Sequence, residues 1–222
     1  MPMKLVSVNV ALPIPVQQGD RTIATGIFKK PVTGPVRVSL SNLEGDGQAD
    51  LENHGGEYKA VYAYSLDHYD YWRGALNRVD MPYGQFGENL TVSELDEFDS
   101  CIGDQLRIGS ALFTITQPRV PCFKLGIRLG DEKMPRLFSE SARTGFYLRV
   151  LRTGVIEAGD TVDVIGRGRG RVAVRTLFEA YVRPGRENMA QTLIQALEVP
   201  ELSPEWRTHI AERLQHSRRG AN

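Results

Sequence analysis

A mainly β fold with inserted helices, of the α+β class, followed by a small helical region, is what this 222-residue sequence predicts. Three observations carry that expectation: short segments that alternate apolar and polar residues, glycine and proline between them, and a switch to helical spacing after residue 165. Successive side chains of a strand point to opposite faces, so alternation with polar partners marks half-buried antiparallel strands. Such runs stand at Val6/Val8/Val10, Leu106/Ile108, Ala111/Phe113/Ile115, Phe146/Leu148/Val150 and Val162/Val164. Gly and Pro punctuate them at Pro31, Gly34-Pro35, Gly45, Gly55-Gly56, Gly84, Gly87, Gly103, Gly109 and Gly154, which favours a barrel or sandwich.

Two helices interrupt the strands. Ser65 is placed to N-cap the first, whose Leu66, Tyr69, Trp72 and Leu76 share one face; Met134, Leu137, Phe138 and Ala142 mark the second. Both stripes read as core packing. After Ile165 comes Gly-Arg-Gly-Arg-Gly-Arg, read as a connector, and then three helical patterns. Val174 to Val182 forms one; Met189, Leu193, Ile194 and Leu197 mark the next; Ser203-Pro204-Glu205 opens the last, with Trp206, Ile210 and Leu214 four apart. The expected division is therefore a β domain over 1–165, a Gly/Arg linker over 166–172 and a separable three-helix domain over 173–222, so that a chain ending near Ile165 would still bind cofactor if the β domain holds the whole site.

Composition excludes several classes. With 41% hydrophobic and 24% charged residues, neither disorder nor a fibre is suggested. Lys+Arg and Asp+Glu each total 27, so no global field exists for nucleic acid or an anionic membrane, and any anion site must be local. The first ten residues alternate and read as a strand rather than a signal peptide, and no stretch approaches a membrane span. Cys101 and Cys122 are too few for a disulfide framework or an iron–sulfur cluster, and a reducing cytoplasm is the expected location.

Two motifs mislead. Val162-Asp-Val-Ile-Gly-Arg-Gly-Arg-Gly resembles the glycine turn of a dinucleotide fold, but Arg171 stands where the third glycine is required and helices follow instead of a second parallel strand. Three arginines on a connector read as solvated charge. Gly45-Asp-Gly-Gln-Ala-Asp50 hints at a calcium loop yet lacks its later acidic ligands, so Asp46 and Asp50 read as loop-formers. His54, His68, His209 and His216 show no zinc spacing, and no nucleophile elbow surrounds a serine.

Chemistry concentrates in three segments: Gly45 to Ala60, Phe86-Gly-Glu-Asn-Leu-Thr91, and Gln117-Pro-Arg-Val-Pro-Cys-Phe-Lys-Leu125. Adjacent Gly55 and Gly56 allow a tight turn that presents N–H groups to an anion, with Lys59 and Arg119 as countercharge. Each has a plainer reading as well: Gly55-Gly56 as a bare hairpin turn, Asn89 as a turn brace, Lys30 as a solvated strand-edge charge and His54 as a loop brace. Cys122 lies between Pro121 and Phe123 with Arg119 and Lys124 close by, surroundings that favour a thiolate, which is both nucleophile and soft metal ligand. Cys101 follows Glu97-Phe-Asp-Ser without nearby cations and reads as a buried hydrophobe.

These segments together resemble the MOSC domains, named for the C-terminal domain of molybdenum cofactor sulfurase, and within them the short bacterial YiiM-like proteins. The likeness rests on Gly45-Asp-Gly-Gln-Ala-Asp50, His54-Gly-Gly56, Lys59-Ala60, Gly87-Glu-Asn89, Ile102-Gly-Asp104 and Gln117-Pro-Arg-Val-Pro-Cys122, over roughly residues 1 to 165, with three terminal helices like those that end YiiM-like chains. It implies a β-barrel of the pyruvate-kinase-barrel-like kind and a pterin-based molybdenum cofactor, with Cys122 ligating the metal. It further implies Arg119, Lys59 and Lys30 at the cofactor phosphate, where the Gly55-Gly56 turn would also stand, and Asn89, Gln117 and His54 at the pterin edge or pocket; His54, an imidazole that titrates near neutral pH, is also the candidate proton donor. The implied activity is reduction of N-hydroxylated substrates, such as hydroxylaminopurines and amidoximes, a detoxifying oxidoreductase supplied with electrons by a separate donor protein. The alternative is a carrier of cofactor or sulfur, with Cys122 as a persulfide. Pyridoxal phosphate is not expected, for no Schiff-base lysine motif is visible.

Overall fold

A computed structural model of the chain describes residues 2–49, 55–183 and 188–219, with side chains to residue 216. Its first part is built of strands: β1 (Lys4–Val10), β2 (Ile14–Gln18), β3 (Arg21–Thr25), β4 (Lys30–Val32), β5 (Val36–Val38) and β6 (Val61–Ser65). Helix α1 (Asp67–Leu76) precedes β7 (Leu90–Ser93), β8 (Gln105–Ile108) and β9 (Ala111–Pro118). Helices α2 (Phe123–Leu129) and α3 (Met134–Ser141) lead to β10 (Phe146–Arg152), β11 (Gly154–Ile156) and β12 (Val162–Gly166). The chain ends in α4 (Val174–Val182), α5 (Met189–Leu197) and α6 (Pro204–Arg219).

Eight strands form one sheet in the order β12-β8-β9-β10-β6-β7-β1-β4, and every pairing in it is antiparallel except β6 with β7. Among the described residues the strand pairing of this sheet is not closed, and the expected β-barrel is approached by its curvature. The sheet curls: β1 meets the start of β12 at the bridge Lys4–Thr161, with Leu5 N donating to Asp160 O at 2.9 Å and Val162 N to Met3 O at 3.0 Å. Beside it stand the β2–β3 hairpin and the long-range antiparallel pair of β5 with β11.

The register departs from simple alternation in β1. Val6 and Val10 are only half-buried, whereas Leu5, Ser7, Val8 and Asn9 are buried. A bulge between Leu5 and Ser7, in the pairing with β7, accounts for the difference, because one extra residue turns the following side chains over. The expected inward face Val6/Val8/Val10 is thereby corrected to Leu5 and Val8.

Both inserted helices form where their apolar spacing places them. Ser65, expected as the N-cap of α1, is instead the last residue of β6; Leu66 holds the cap position and Tyr69 and Trp72 are buried. Helix α6 starts as its sequence suggests, with Ser203 Oγ accepting from Trp206 N at 3.2 Å and Pro204 in the first turn, where its missing N–H costs nothing. Helix α2, which directly follows Cys122, has too short an apolar pattern to announce itself.

One aliphatic core joins the sheet to the terminal helices. Leu5, Phe113, Ile115 and Leu148 of the sheet belong to the same buried cluster as Val174, Leu177, Leu193, Trp206 and Ile210. The Gly/Arg segment between them is pinned. Buried Asp104 accepts from Arg167 Nη1 at 2.9 Å, from Gly168 N at 2.8 Å and from Arg171 Nη1 at 3.5 Å. This corrects the reading of these arginines as solvated charges: two of them satisfy a carboxylate that burial would otherwise leave expensively unpaired. A second buried cluster is aromatic and includes Tyr62, Tyr64, Tyr69, Trp72, Phe86 and Phe138. Trp72 and Phe138 stack at 5.5 Å between centroids and 13°, and Trp72 Nε1 donates to Tyr64 Oη at 2.8 Å. No helix among the described residues is long and apolar enough to cross a membrane.

Candidate active-site cleft

An open cleft, enclosing about 700 Å³ with its mouth, lies between the loop after β9, the N-terminal half of β6 and the segments around residues 25–29 and 46–49. Its floor needs glycine. Gly87 has φ +80°, and a Cβ there would come within 2.8 Å of Ile27 Cγ1. A Cβ on Gly26 would meet Gly47 O at 2.7 Å.

Arg119 is the charged anchor. It is only 5% exposed, and its guanidinium lies over the Tyr62 ring at 4.8 Å and the Phe138 ring at 5.2 Å, with Nη1 donating to Tyr62 Oη at 3.4 Å. Burial alone would lower its pKa, but the oxygens of Tyr62 and Tyr147 and the sulfur of Cys122 beside it outweigh that and raise it. The guanidinium is therefore a permanent positive charge. Burial likewise raises the Tyr62 phenol well above its ordinary value, and raises Tyr147 against the opposing pull of Arg119. Both keep their protons at neutral pH.

Cys122 is half-buried, lines the cleft with Arg119, Val120 and Lys124, and sits in extended backbone at the start of α2, its carbonyl accepting from Leu125 N at 3.0 Å. Cys101 is 2% exposed, and burial pushes its thiol up, followed by the effect of Asp104. One cysteine is thus presented to a ligand and the other stored in the interior.

The opposite wall is a buried polar chain. Lys29, only 7% exposed, pairs with Asp46, and burial lowers its pKa while Asp46 pulls the other way. Asp46 also accepts from Ala11 N at 2.9 Å and Asn89 Nδ2 at 2.9 Å. Asn89 Oδ1 accepts from Tyr62 N at 3.0 Å, and Nδ2 donates again to Asn9 O at 3.2 Å. Both amide protons of Asn89 are engaged within the protein. Deeper still, Asn9 Nδ2 donates to Thr91 Oγ1 at 3.1 Å and Thr91 Oγ1 to Glu88 Oε1 at 3.0 Å. Fully buried Glu88 also accepts from Tyr69 Oη, from Gly84 N at 2.8 Å and from Phe86 N at 3.1 Å; burial raises its pKa and these bonds oppose the rise. The Phe86-Gly-Glu-Asn89 segment thus holds the cleft together from behind.

The residues expected from sequence divide accordingly. Cys122, Arg119, Lys59 and Asn89 line one cleft. Lys30 is exposed on β4 and absent from that lining, where its neighbour Lys29 stands instead. Gly55 and Gly56 also lie outside the lining; Gly56 has φ +88°, as a turn glycine must, and its N–H donates to Gln48 Oε1 at 3.2 Å rather than facing a ligand. Gln117 is buried in β9, with Oε1 unpartnered among the described residues, and does not line the cleft. His54 and Asp50 lie outside the described residues. Lys29, Tyr62 and Tyr147 were missed. Asp46, read as a loop-former, is in fact the partner of Lys29.

The cleft lining comes from residues 25–147, and the terminal helices touch it through one of those residues, Lys59. Lys59 Nζ and Glu205 Oε2 of α6 are 2.5 Å apart. Ser203 N donates to Thr116 O at 3.3 Å, and Thr116 Oγ1 to Tyr58 O at 2.6 Å, tying the start of α6 to β9 and to the turn that carries Lys59.

Comparison with known proteins agrees with this architecture. The family model for the MOSC domain matches residues 50–163, and the model for the YiiM-like 3-alpha helix domain matches residues 174–217. YflK of Bacillus subtilis (strain 168) is 35% identical over 209 residues, covering 94% of this chain and 93% of its own. A protein named Reductase from Gibberella moniliformis is 38% identical over 151 residues, 65% of this chain and only 26% of that much longer one. The crystal structure of YiiM from Geobacillus stearothermophilus superposes with a TM-score of 0.80 at 35% identity, covering 96% of this chain and 100% of that one. With its cysteine-bearing cleft, its curled sheet and its three helical segments at the end, the chain belongs to the MOSC domain family and, within it, to the YiiM-like proteins.

Proposed function

We propose that the cleft binds a molybdenum–pterin cofactor and that the protein reduces N-hydroxylated substrates such as hydroxylaminopurines or amidoximes. The observation that carries this reading is the half-buried Cys122 thiol beside permanently charged Arg119, in a cleft also lined by Lys29, Lys59 and Lys124. The donor set fits such a group. Thiolate sulfur suits a soft metal already held by sulfur, and a cluster of cations suits a phosphate.

When bound, the cofactor would supply a two-electron centre able to take oxygen from an N–OH group. Cys122 would hold the metal, Arg119 and Lys59 the phosphate, and the Tyr147 phenol would donate a hydrogen bond to a polar edge of the ligand, while Tyr62 Oη donates to Thr144 O at 2.7 Å and serves to hold Arg119. Asn89 and Asp46 keep the wall in place. Conversion of N–OH to N–H and water consumes two electrons and two protons. The electrons come from a separate donor protein; among the described proton carriers on the cleft wall are Lys29 and Tyr147, with His54 a further candidate from the sequence. The name of the Gibberella moniliformis relative supports reductive chemistry in this family.

A second reading, transfer of cofactor or sulfur with Cys122 as a persulfide, draws on the same accessible thiol. One assay separates the two. Folded protein loaded with cofactor is expected to reduce an amidoxime or hydroxylaminopurine with reduced viologen, and not with NADH alone. Absence of reduction across such a panel, together with delivery of cofactor or sulfur to an acceptor protein, would establish the carrier instead.

A further inference from the structure

The ion pair between Lys59 and Glu205 joins the cleft to the first turn of α6, and its two partners are unequally placed. The Lys59 side chain is 8% exposed and the Glu205 side chain 41%. The lysine is confined to the cleft wall, whereas the glutamate has water on one side and can leave. Glu205 also acts electrostatically on Tyr147, the phenol across from Arg119, so its charge is felt inside the cleft and not only at its rim.

We propose that Glu205 is a positioning residue that holds the Lys59 ammonium toward the cleft and attenuates its attraction for anions, yielding to an incoming phosphate group. This inference rests on the reading of Lys59 as a phosphate-binding residue. The geometry supplies both halves of the device. In the absence of an anion, the carboxylate offsets part of the Lys59 charge; when phosphate arrives, the carboxylate turns to solvent and the phosphate takes its place on the ammonium. The anchoring of α6 persists throughout, because Ser203 N and the Trp206 cap do not depend on the Glu205 charge. The terminal helices therefore tune the ligand preference of a site whose sulfur and arginine they do not supply.

The test uses the full chain and inorganic pyrophosphate as probe, with binding followed by calorimetry at low salt. Glu205→Gln keeps the shape and removes the charge, and is expected to tighten pyrophosphate binding about three- to tenfold. Lys59→Gln is expected to weaken it by a similar factor, and in the Lys59→Gln background the Glu205→Gln gain should disappear. A merely structural glutamate would give a loss, never a gain that depends on Lys59. Unchanged or weaker binding in Glu205→Gln, an equal gain with and without Lys59, or no pyrophosphate binding by any variant overturns the inference. Thermal unfolding of each variant identifies any that fails to fold, in which case Glu205→Ser, which also removes the charge, must give the same Lys59-dependent gain. Molybdenum content and reductive activity are separate readouts, so a failure here with both retained leaves the proposed function standing.

Discussion

The two buried clusters differ in what they do with polar groups. The aliphatic cluster that joins the sheet to α4, α5 and α6 is built from side chains such as Leu5, Phe113, Leu177 and Ile210, which have nothing to hydrogen-bond. Beneath the cleft, the aromatic cluster holds charge with its ring faces and its polar tips: the Arg119 guanidinium lies against the Tyr62 and Phe138 rings, while Tyr69 donates to Glu88. The first cluster secures the fold at little cost in precision. The second places charges in an apolar setting, where each must be matched or it destabilises the protein.

That contrast can be broken most forcefully on the aliphatic side. Phe113→Ala removes a fully buried ring from the sheet centre and should cost about 3–5 kcal/mol, read from denaturant unfolding. Ending the chain at Ile165 should be comparably severe, because it uncovers the core against which Val174, Leu177 and Trp206 pack; loss of a cooperative melt is expected. A truncated chain that melts cooperatively near the full-length temperature would separate the helices from the core.

Intermediate effects belong to the aromatic side. Glu88→Gln should cost about 1–3 kcal/mol, since an amide cannot accept from all the donors that converge on the carboxylate. Its pH dependence sharpens the comparison. Burial raises the folded-state pKa of Glu88 above the ordinary 4.5, so its contribution is complete below that value and is lost as pH rises through the folded-state pKa. The wild type should therefore lose stability relative to Glu88→Gln as pH is raised from 4.5 toward neutrality. A difference that is flat, or that grows with pH, would show a carboxylate held ionised by its donors.

How far the sequence reveals each region follows from the same contrast. Aliphatic packing is periodic, so β1, β8, β9, β10 and β12, the span of α4 and the buried faces of α5 and α6 can be read from spacing; β6, buried on both faces, and the short β4 and β7 show no such alternation, and the β1 bulge is missed because a single inserted residue leaves no compositional mark. Cys122, Arg119 and Lys59 are visible as a reactive type among cations and glycines. Lys29 is not, because Lys29 and Lys30 look alike until the strand register decides which one turns inward. Glu205 is least legible of all. Its partner Lys59 is distant in sequence, and only the packing of α6 on the start of the sheet region brings the two together.

The smallest expected effect on stability belongs to Cys122, which is half-buried and outside both clusters. Cys122→Ser should shift the unfolding midpoint by less than about 1 kcal/mol, within the usual range for changes away from a core. Its effect on the cofactor should be the opposite, since a hydroxyl is a poor substitute for thiolate on a soft metal. The most direct test is therefore the molybdenum content, by elemental analysis, of wild-type and Cys122→Ser protein purified from a host that makes the cofactor. Near-stoichiometric metal in the wild type, lost from a folded Cys122→Ser, is the predicted result. Equal molybdenum in both proteins, or none in a wild type exposed to abundant cofactor, would contradict it.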